Sequence, residues 1–168
     1  QYTMLLQDKK AVIFGVANNR SIAYGIANQF RQHGAKLAFS YLGDALKKRV
    51  EPICEEMGGD FIFNCDVGSD EDIAASAEIV KEQWGEIDIL VHSVAFANRD
   101  ELKGRYVDTS RAGFALAMDI SVYSLAALTK AFEPLMNPNA SVMTMTYLGA
   151  ERVVPSYNVM GVAKAALE

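Results

Sequence analysis

The sequence is poor in the residues that build metal cages and disulfide scaffolds. Among its 168 residues are two cysteines and two histidines. Cys54 and Cys65 stand at no metal-ligand spacing and are too few for a disulfide framework, so they read as free thiols of a cytoplasmic protein. No metal is expected. Long apolar runs are also missing: 51% of residues are apolar, but in stretches no longer than a buried strand needs, so no segment is expected to cross a membrane. No charged-then-apolar leader opens the chain, which argues against a signal peptide. Met4 reads as the natural start, with Gln1-Tyr2-Thr3 an addition ahead of it. Positive charge is scarce. With 16 basic against 21 acidic residues, a formal charge of −5 and no basic stripe, a nucleic-acid partner is not expected. Lys47-Lys48-Arg49 is most simply a solvated helix face. Repeats, low-complexity tracts and linkers are absent too, so residues 1–168 are expected to form a single domain.

What is present is a regular alternation. Lys10–Phe14 is a short apolar run closed by Gly15 and reads as a buried strand. Gly15-Val-Ala-Asn-Asn-Arg-Ser21-Ile-Ala-Tyr-Gly25 then opens a helix that runs to about His33 and stops at Gly34. A strand feeding a helix through a glycine turn aims backbone N–H groups and the positive helix end at one point, where a pyrophosphate can sit. Gly15 would make the tight turn, Ser21 would cap the helix, and Gly25 would let the helix approach the sheet. The spacing departs from G-x-G-x-x-G, because Asn18, Asn19 and Ser21 replace two of its glycines, and a ligand-free turn reads as well.

Lys36–Ser40, Asp60–Asn64, Ile87–Val91 and Ser141–Met145 read as further strands. Asp44–Met57, Asp70–Trp84 and a long stretch near Ser110–Met136 read as helices. This alternation predicts an α/β fold, a doubly wound parallel sheet with helices on both faces. Ligands of such sheets bind beyond the carboxyl ends of the strands. Gly15, Tyr41-Leu42, Asp66-Val67, Ser93-Val94-Ala95 and Tyr147 all fall there. His92, closing a strand, reads as structural, and His33, at a helix end, as solvent-facing.

Near the end of the sequence Pro155 favours a helix starting near Ser156, with Tyr157 in its first turn and Lys164 two turns deeper on nearly the same face. A phenol beside a cation can hydrogen-bond an oxygen that becomes negative during a reaction. An ordinary amphipathic helix would show the same pair.

In Gly15 to Gly25, Cys65-Asp66-Val67, Val91-His92-Ser93-Val94-Ala95-Phe96-Ala97 and Tyr147 to Lys164, the chain resembles the short-chain dehydrogenase/reductase superfamily. Within it, the chain is similar to the bacterial enoyl-acyl carrier protein reductases. The seven-residue interval from Tyr157 to Lys164, with Tyr147 ten residues earlier, carries the narrower resemblance. It implies a Rossmann-type fold and NADH-dependent reduction of a trans-2-enoyl thioester on acyl carrier protein, in fatty-acid elongation. The resemblance further implies that Gly15, Ser21, Ile22, Leu42, Asp66, Val67, Ser93, Val94 and Ala95 hold the cofactor, Ser21 and Ile22 at the pyrophosphate and Asp66 and Val67 at the adenine. Lys164 would hold the nicotinamide ribose and lower the Tyr157 pKa. Tyr157 would polarise the thioester carbonyl, Ala97 would touch substrate, and Tyr147 would line the acyl pocket in a catalytic role left open. A homotetramer is implied, with the Ser110–Met136 helix and the Tyr157 helix at a subunit interface. Family chains continue further, so this one is expected to be a segment lacking the C-terminal part of the domain.

Two alternatives stay open. A 3-oxoacyl or carbonyl reductase would want a strand-five hydroxyl as oxyanion donor, which Thr144 or Thr146 could supply. A non-catalytic nucleotide-binding module would need neither Tyr157 nor Lys164. Cofactor choice is testable. The end of strand two, Tyr41-Leu42-Gly43, offers neither an acid for a ribose hydroxyl nor an arginine for a 2′-phosphate. A phosphate left without a cation pays a desolvation cost that a hydroxyl does not. NADH should therefore be preferred over NADPH in kcat/KM; a preference for NADPH greater than about tenfold would contradict this.

Overall fold

A computed structural model describes residues 4–168; the expectation for Gln1-Tyr2-Thr3 lies outside the described residues. Two compact units emerge, the first running to Ser93 and resuming over Leu128–Thr144, the second formed by Val94–Ala127 and Met145–Glu168.

The first unit holds a five-stranded parallel sheet in the order β3-β2-β1-β4-β5. Its strands are β1 (Lys10–Phe14), β2 (Lys36–Tyr41), β3 (Phe61–Asn64), β4 (Ile87–His92) and β5 (Met136–Thr144). They alternate with α1 (Ile22–Gln32), α2 (Gly43–Glu56) and α3 (Asp70–Trp84). The central strands β1, β2 and β4 are buried almost throughout because both faces are covered there, whereas the edge strand β5 has no fully buried residue. Ala11, Ile13, Leu37, Phe39, Ile89 and Val91 pack with Ala23 and Ala27 of α1 and Val50, Ile53 and Cys54 of α2. On the other face Phe14 meets Phe63 and Phe132 edge-on at 5.6 and 5.9 Å, and Trp84 of α3 meets Phe61 at 4.9 Å. The doubly wound sheet is the one expected from the alternation.

β5 begins earlier than expected, at Met136 instead of Ser141. Asn137-Pro138-Asn139 looks like a turn, but an edge strand tolerates proline. Met136 pairs with Ile87 before an irregularity that restores register at Ile89 and Ser141. Asn137 Nδ2 fastens this stretch to Asp88 Oδ1 at 2.9 Å.

In the second unit α4 (Arg111–Met118) runs through a π-helical turn at Asp119–Tyr123 into α5 (Ser124–Phe132), which crosses from one unit to the other. The continuous helical run Arg111–Leu135 is long and apolar enough, by length and composition, to cross a membrane, which corrects the expectation that no segment has that length. Its buried positions Gly113, Ala117, Ser121, Ser124, Leu128, Phe132 and Leu135 recur every three or four residues, the stripe of a helix packed on a core. α6 (Asn158–Leu167) packs against α4 and the π-helical turn.

Two glycines separate strained from ordinary positions. Gly15 has φ of 107°, and a Cβ there would lie 1.9 Å from the Ser93 carbonyl oxygen. Gly25 is exposed, with nothing within 4 Å of an added Cβ. The close approach expected of Gly25 is made instead by Ala23 and Ala27, both fully buried. Gly15→Ala should therefore destabilise the fold by about 2–4 kcal/mol. Gly25→Ala should stabilise it by about 0.5–1 kcal/mol. Urea denaturation of the two variants reads both signs; loss of stability in Gly25→Ala would restore the close-approach reading.

Candidate active site

In the first unit the carboxyl ends of the parallel strands gather most of the expected cofactor residues. Phe14 pairs with His92 in the ladder, and the Ser93 N–H donates to the Phe14 carbonyl at 3.0 Å, so Gly15 and Ser93 leave the sheet side by side. Beyond Gly15, Asn18 organises the turn. Its Oδ1 accepts from the Arg20 N–H at 2.8 Å, and its carbonyl accepts from the Ser21 hydroxyl at 2.7 Å. Ser21 occupies the N-cap position of α1 but makes no side-chain cap, which corrects the capping role read from sequence. A hydroxyl turned back onto Asn18 leaves the first N–H groups of α1 without that acceptor.

The charge pattern at the helix starts is uneven. α2 carries Asp44 in its first turn and α3 carries Asp70, Glu71 and Asp72, whereas α1 carries no acid there. The positive end of α1 is thus free of a competing carboxylate and could take a phosphate. Ile22, 68% exposed, opens its first turn. At the neighbouring strand ends, Leu42 is half-exposed and the Gly43 N–H is held by Asn64 Oδ1 at 2.9 Å. The Asp66 N–H donates to Asp72 Oδ2 and its Oδ1 accepts from the Gly68 N–H, at 2.9 and 2.8 Å. Asp66 and Val67 are thereby pinned, half-buried, just past β3. This acid-free helix end and close-approach glycine turn suit a dinucleotide.

The second unit holds Val94, Ala95 and Ala97 together with Tyr147, Tyr157 and Lys164. Val94 to Ala97 is irregular chain, and Ser121 fixes it. The Ser121 hydroxyl accepts from the Phe96 N–H at 3.0 Å and donates to the Phe96 carbonyl at 3.1 Å. Sequence reading missed Ser121; the signal was a serine inside an apolar helical run, at the π-helical turn.

Tyr157 is not in the first turn of a helix, as expected, but precedes α6 as its N-cap. Ser156 and Asn158 on either side of it have positive φ, 62° and 35°. Its ring lies edge-on to Tyr147 at 4.9 Å and over Gly149, where a Cβ would come within 2.5 Å of the ring. One helical turn into α6, Gly161 lies equally close, 2.7 Å from the Gly149 carbonyl oxygen by the same measure. An open depression of about 470 Å³ follows, lined by Tyr106, Gly149, Val154, Tyr157, Gly161 and Val162 among others.

Lys164 is 8% exposed, and its ammonium donates to the Met145 carbonyl at 2.8 Å. Burial pushes its pKa down. Burial, and then the neighbouring Tyr147, push the Tyr157 phenol up. The expected lowering of the phenol by Lys164 is therefore corrected: desolvation disfavours the phenolate, and the cation is directed at Met145.

The two hydroxyls that would favour an alternative oxyanion donor are both engaged. Thr144 Oγ1 lies 2.8 Å from Nδ1 of the buried His92, and Thr146 Oγ1 donates to Glu168 Oε1 at 2.7 Å. His92 serves the sheet, as expected. His33 is half-buried with Nδ1 lacking a partner, not solvent-facing. Cys54 and Cys65 are buried free thiols with raised pKa values, chiefly from burial.

Known proteins match this architecture closely. The family model described as enoyl-(acyl carrier protein) reductase matches residues 15–168. The NADH-named enoyl-[acyl-carrier-protein] reductase FabI of Aquifex aeolicus is 56% identical over 165 residues, covering 98% of this chain and 61% of the relative. A Rhizobium meliloti relative, also named for NADH, is 53% identical over the whole chain and 62% of its own length. The solved structure of the Anaplasma phagocytophilum reductase in complex with NAD superposes with a TM-score of 0.96 at 47% identity, covering 99% of this chain and 64% of that one. A Bacillus cereus reductase solved with NADP+ and indole naphthyridinone gives 0.94 at 48% identity, over 97% and 64%. The chain thus spans under two thirds of the length of these relatives. With a matching family model over all but its first residues and identities near one half, the chain belongs to the enoyl-(acyl carrier protein) reductase family.

Proposed function

We propose that the protein takes hydride from NADH to the β-carbon of a trans-2-enoyl thioester carried on acyl carrier protein, in fatty-acid elongation. The observation that carries the reading is Tyr157, locked against Tyr147 and Gly149 at the head of α6, with Lys164 buried seven residues on. The nicotinamide supplies the hydride when bound. Gly15, Ser21, Ile22, Leu42, Asp66, Val67, Ser93, Val94 and Ala95 would hold the dinucleotide, Ser21 and Ile22 at its pyrophosphate. Lys164 would hold the nicotinamide ribose hydroxyls. Ala97 and Tyr147 line the acyl site, Tyr157 donates a hydrogen bond to the thioester oxygen as charge builds there, worth about 3 kcal/mol for one well-placed donor, and the resulting enolate takes a proton from water at the α-carbon to give the saturated thioester.

Residues 1–168 are read as a single dinucleotide-binding and catalytic domain that lacks its C-terminal part. The printed names of the relatives support NADH, and the absence of an arginine from the β2 end agrees. The engaged Thr144 and Thr146 hydroxyls count against a ketone reductase. The protein acts in the cytoplasm, away from nucleic acid and membrane, as a homotetramer. Exposed Phe114, Tyr123 and Val162 on the long helix and α6 support a subunit interface there. Assay of the intact protein with crotonyl thioester against a panel of ketones and 3-oxoacyl thioesters tests the reaction class; activity confined to the ketones would overturn it.

Tyr157→Phe should lower turnover by about a hundredfold while leaving NADH affinity nearly unchanged. Lys164→Ala should instead weaken NADH binding. Fluorescence titration separates the two, and equal loss of affinity in both variants contradicts the division of labour.

The pH dependence has a definite sign. A raised phenol keeps its proton, so Tyr157 remains a donor until above the ordinary tyrosine value of about 10. Lowered by burial, Lys164 loses its charge before the ordinary lysine value of about 10.4. NADH affinity should therefore begin to weaken below the ordinary lysine range, and Lys164→Met should remove that alkaline limb. An affinity independent of pH up to the ordinary lysine range contradicts this assignment.

A further inference from the structure

We propose that Asn158 is a positioning residue that fixes Tyr157 for the reaction by clamping its side-chain amide onto the Glu101–Gly104 loop; this rests on the functional reading above. Tyr157 stands between two non-glycine residues in the left-handed region, Ser156 and Asn158. L-residues avoid that region, and its clustering beside a reactive group marks a backbone held in place by its surroundings. Asparagine tolerates it better than most.

The holding contacts are specific. Asn158 Nδ2 lies 3.1 Å from the Glu101 carbonyl oxygen and 3.3 Å from those of Lys103 and Gly104. Two amide hydrogens are shared among three acceptors. Only the nitrogen end of the amide can face three carbonyls, so the acceptors themselves fix its orientation. The loop that receives it is anchored in turn. Glu101 donates its N–H to the Asn98 carbonyl at 3.0 Å, and its carboxylate accepts from the Ser110 N–H and hydroxyl at the head of α4. A chain of hydrogen bonds thus runs from the start of α4 to the residue after Tyr157.

The two halves of the constraint are separate. Gly149 and Tyr147 set where the Tyr157 ring lies, and Asn158 sets the backbone from which the ring projects. Glutamine would reach too far, and alanine would meet the positive φ without the amide. Asn158 touches no reacting atom in this account. Its effect passes through the direction of the Tyr157 hydroxyl, where small misplacements cost turnover.

A double-mutant cycle in the intact protein tests this. Asn158→Gly keeps the freedom of φ and removes the clamp, while Tyr157→Phe removes the hydroxyl the clamp is said to aim. Asn158→Gly should lower kcat at least about tenfold with KM for NADH unchanged. In the Tyr157→Phe background it should cost no more than about twofold, because nothing remains to be aimed. Asn158→Asp keeps shape and φ tolerance but offers an acceptor to three carbonyls; it should give the same coupling and replaces the glycine variant should that fail to fold. Wild-type kcat in Asn158→Gly, or equal losses in both backgrounds, overturns the positioning role alone. Full turnover in Tyr157→Phe overturns the functional reading, and the proposal with it.

Discussion

The close approach of Gly15 to the Ser93 carbonyl is the constraint on which the rest depends. β1 and β4 are neighbours at the point where strand order reverses, and their chains part there in different directions. The Ser93 N–H still completes the ladder to Phe14, so the two backbones remain in contact as they leave the sheet. Only a residue without Cβ and with φ of 107° fits. That contact sets the direction of the turn into α1, and with it the direction in which an acid-free helix end points. A crevice at such a reversal is where parallel sheets bind nucleotides.

Much of this was legible in the sequence. β1 and α3 lie where the sequence places them: Gly15 closes the one, and in the structure Ser69 and Gly85 cap the other. The start of β5 was hidden by Asn137-Pro138-Asn139, whose turn chemistry is outweighed by pairing along an edge. Ser21 and Gly25 were assigned roles by analogy with a motif, and side-chain geometry gives them others. The Ser21 hydroxyl donates to the Asn18 carbonyl and does not accept from the first N–H groups of α1, and α1 meets the sheet through alanines.

The candidate site shows the same division. Residue types and intervals marked Tyr147, Tyr157 and Lys164, since those depend only on chain order. What positions them does not appear as a pattern. Ser121 acts through both main-chain groups of Phe96, and Asn158 through three carbonyls some fifty residues earlier. Such contacts join segments distant in sequence and leave no period behind. Electrostatics likewise required the fold. An adjacent lysine would lower a phenol in solution, but burial and Tyr147 raise Tyr157.

The central claim is conjugate reduction: hydride to the β-carbon of an enoyl thioester, with charge received at the carbonyl oxygen. The most direct measurement is isotopic. NADH carrying deuterium in both positions at nicotinamide C4 would be used to reduce crotonyl thioester with the intact protein, and the butyryl product analysed by mass spectrometry and NMR. One deuterium at the β-carbon, with none at the α-carbon, is the predicted result. Label at the carbonyl carbon, or a product without deuterium, would contradict the account.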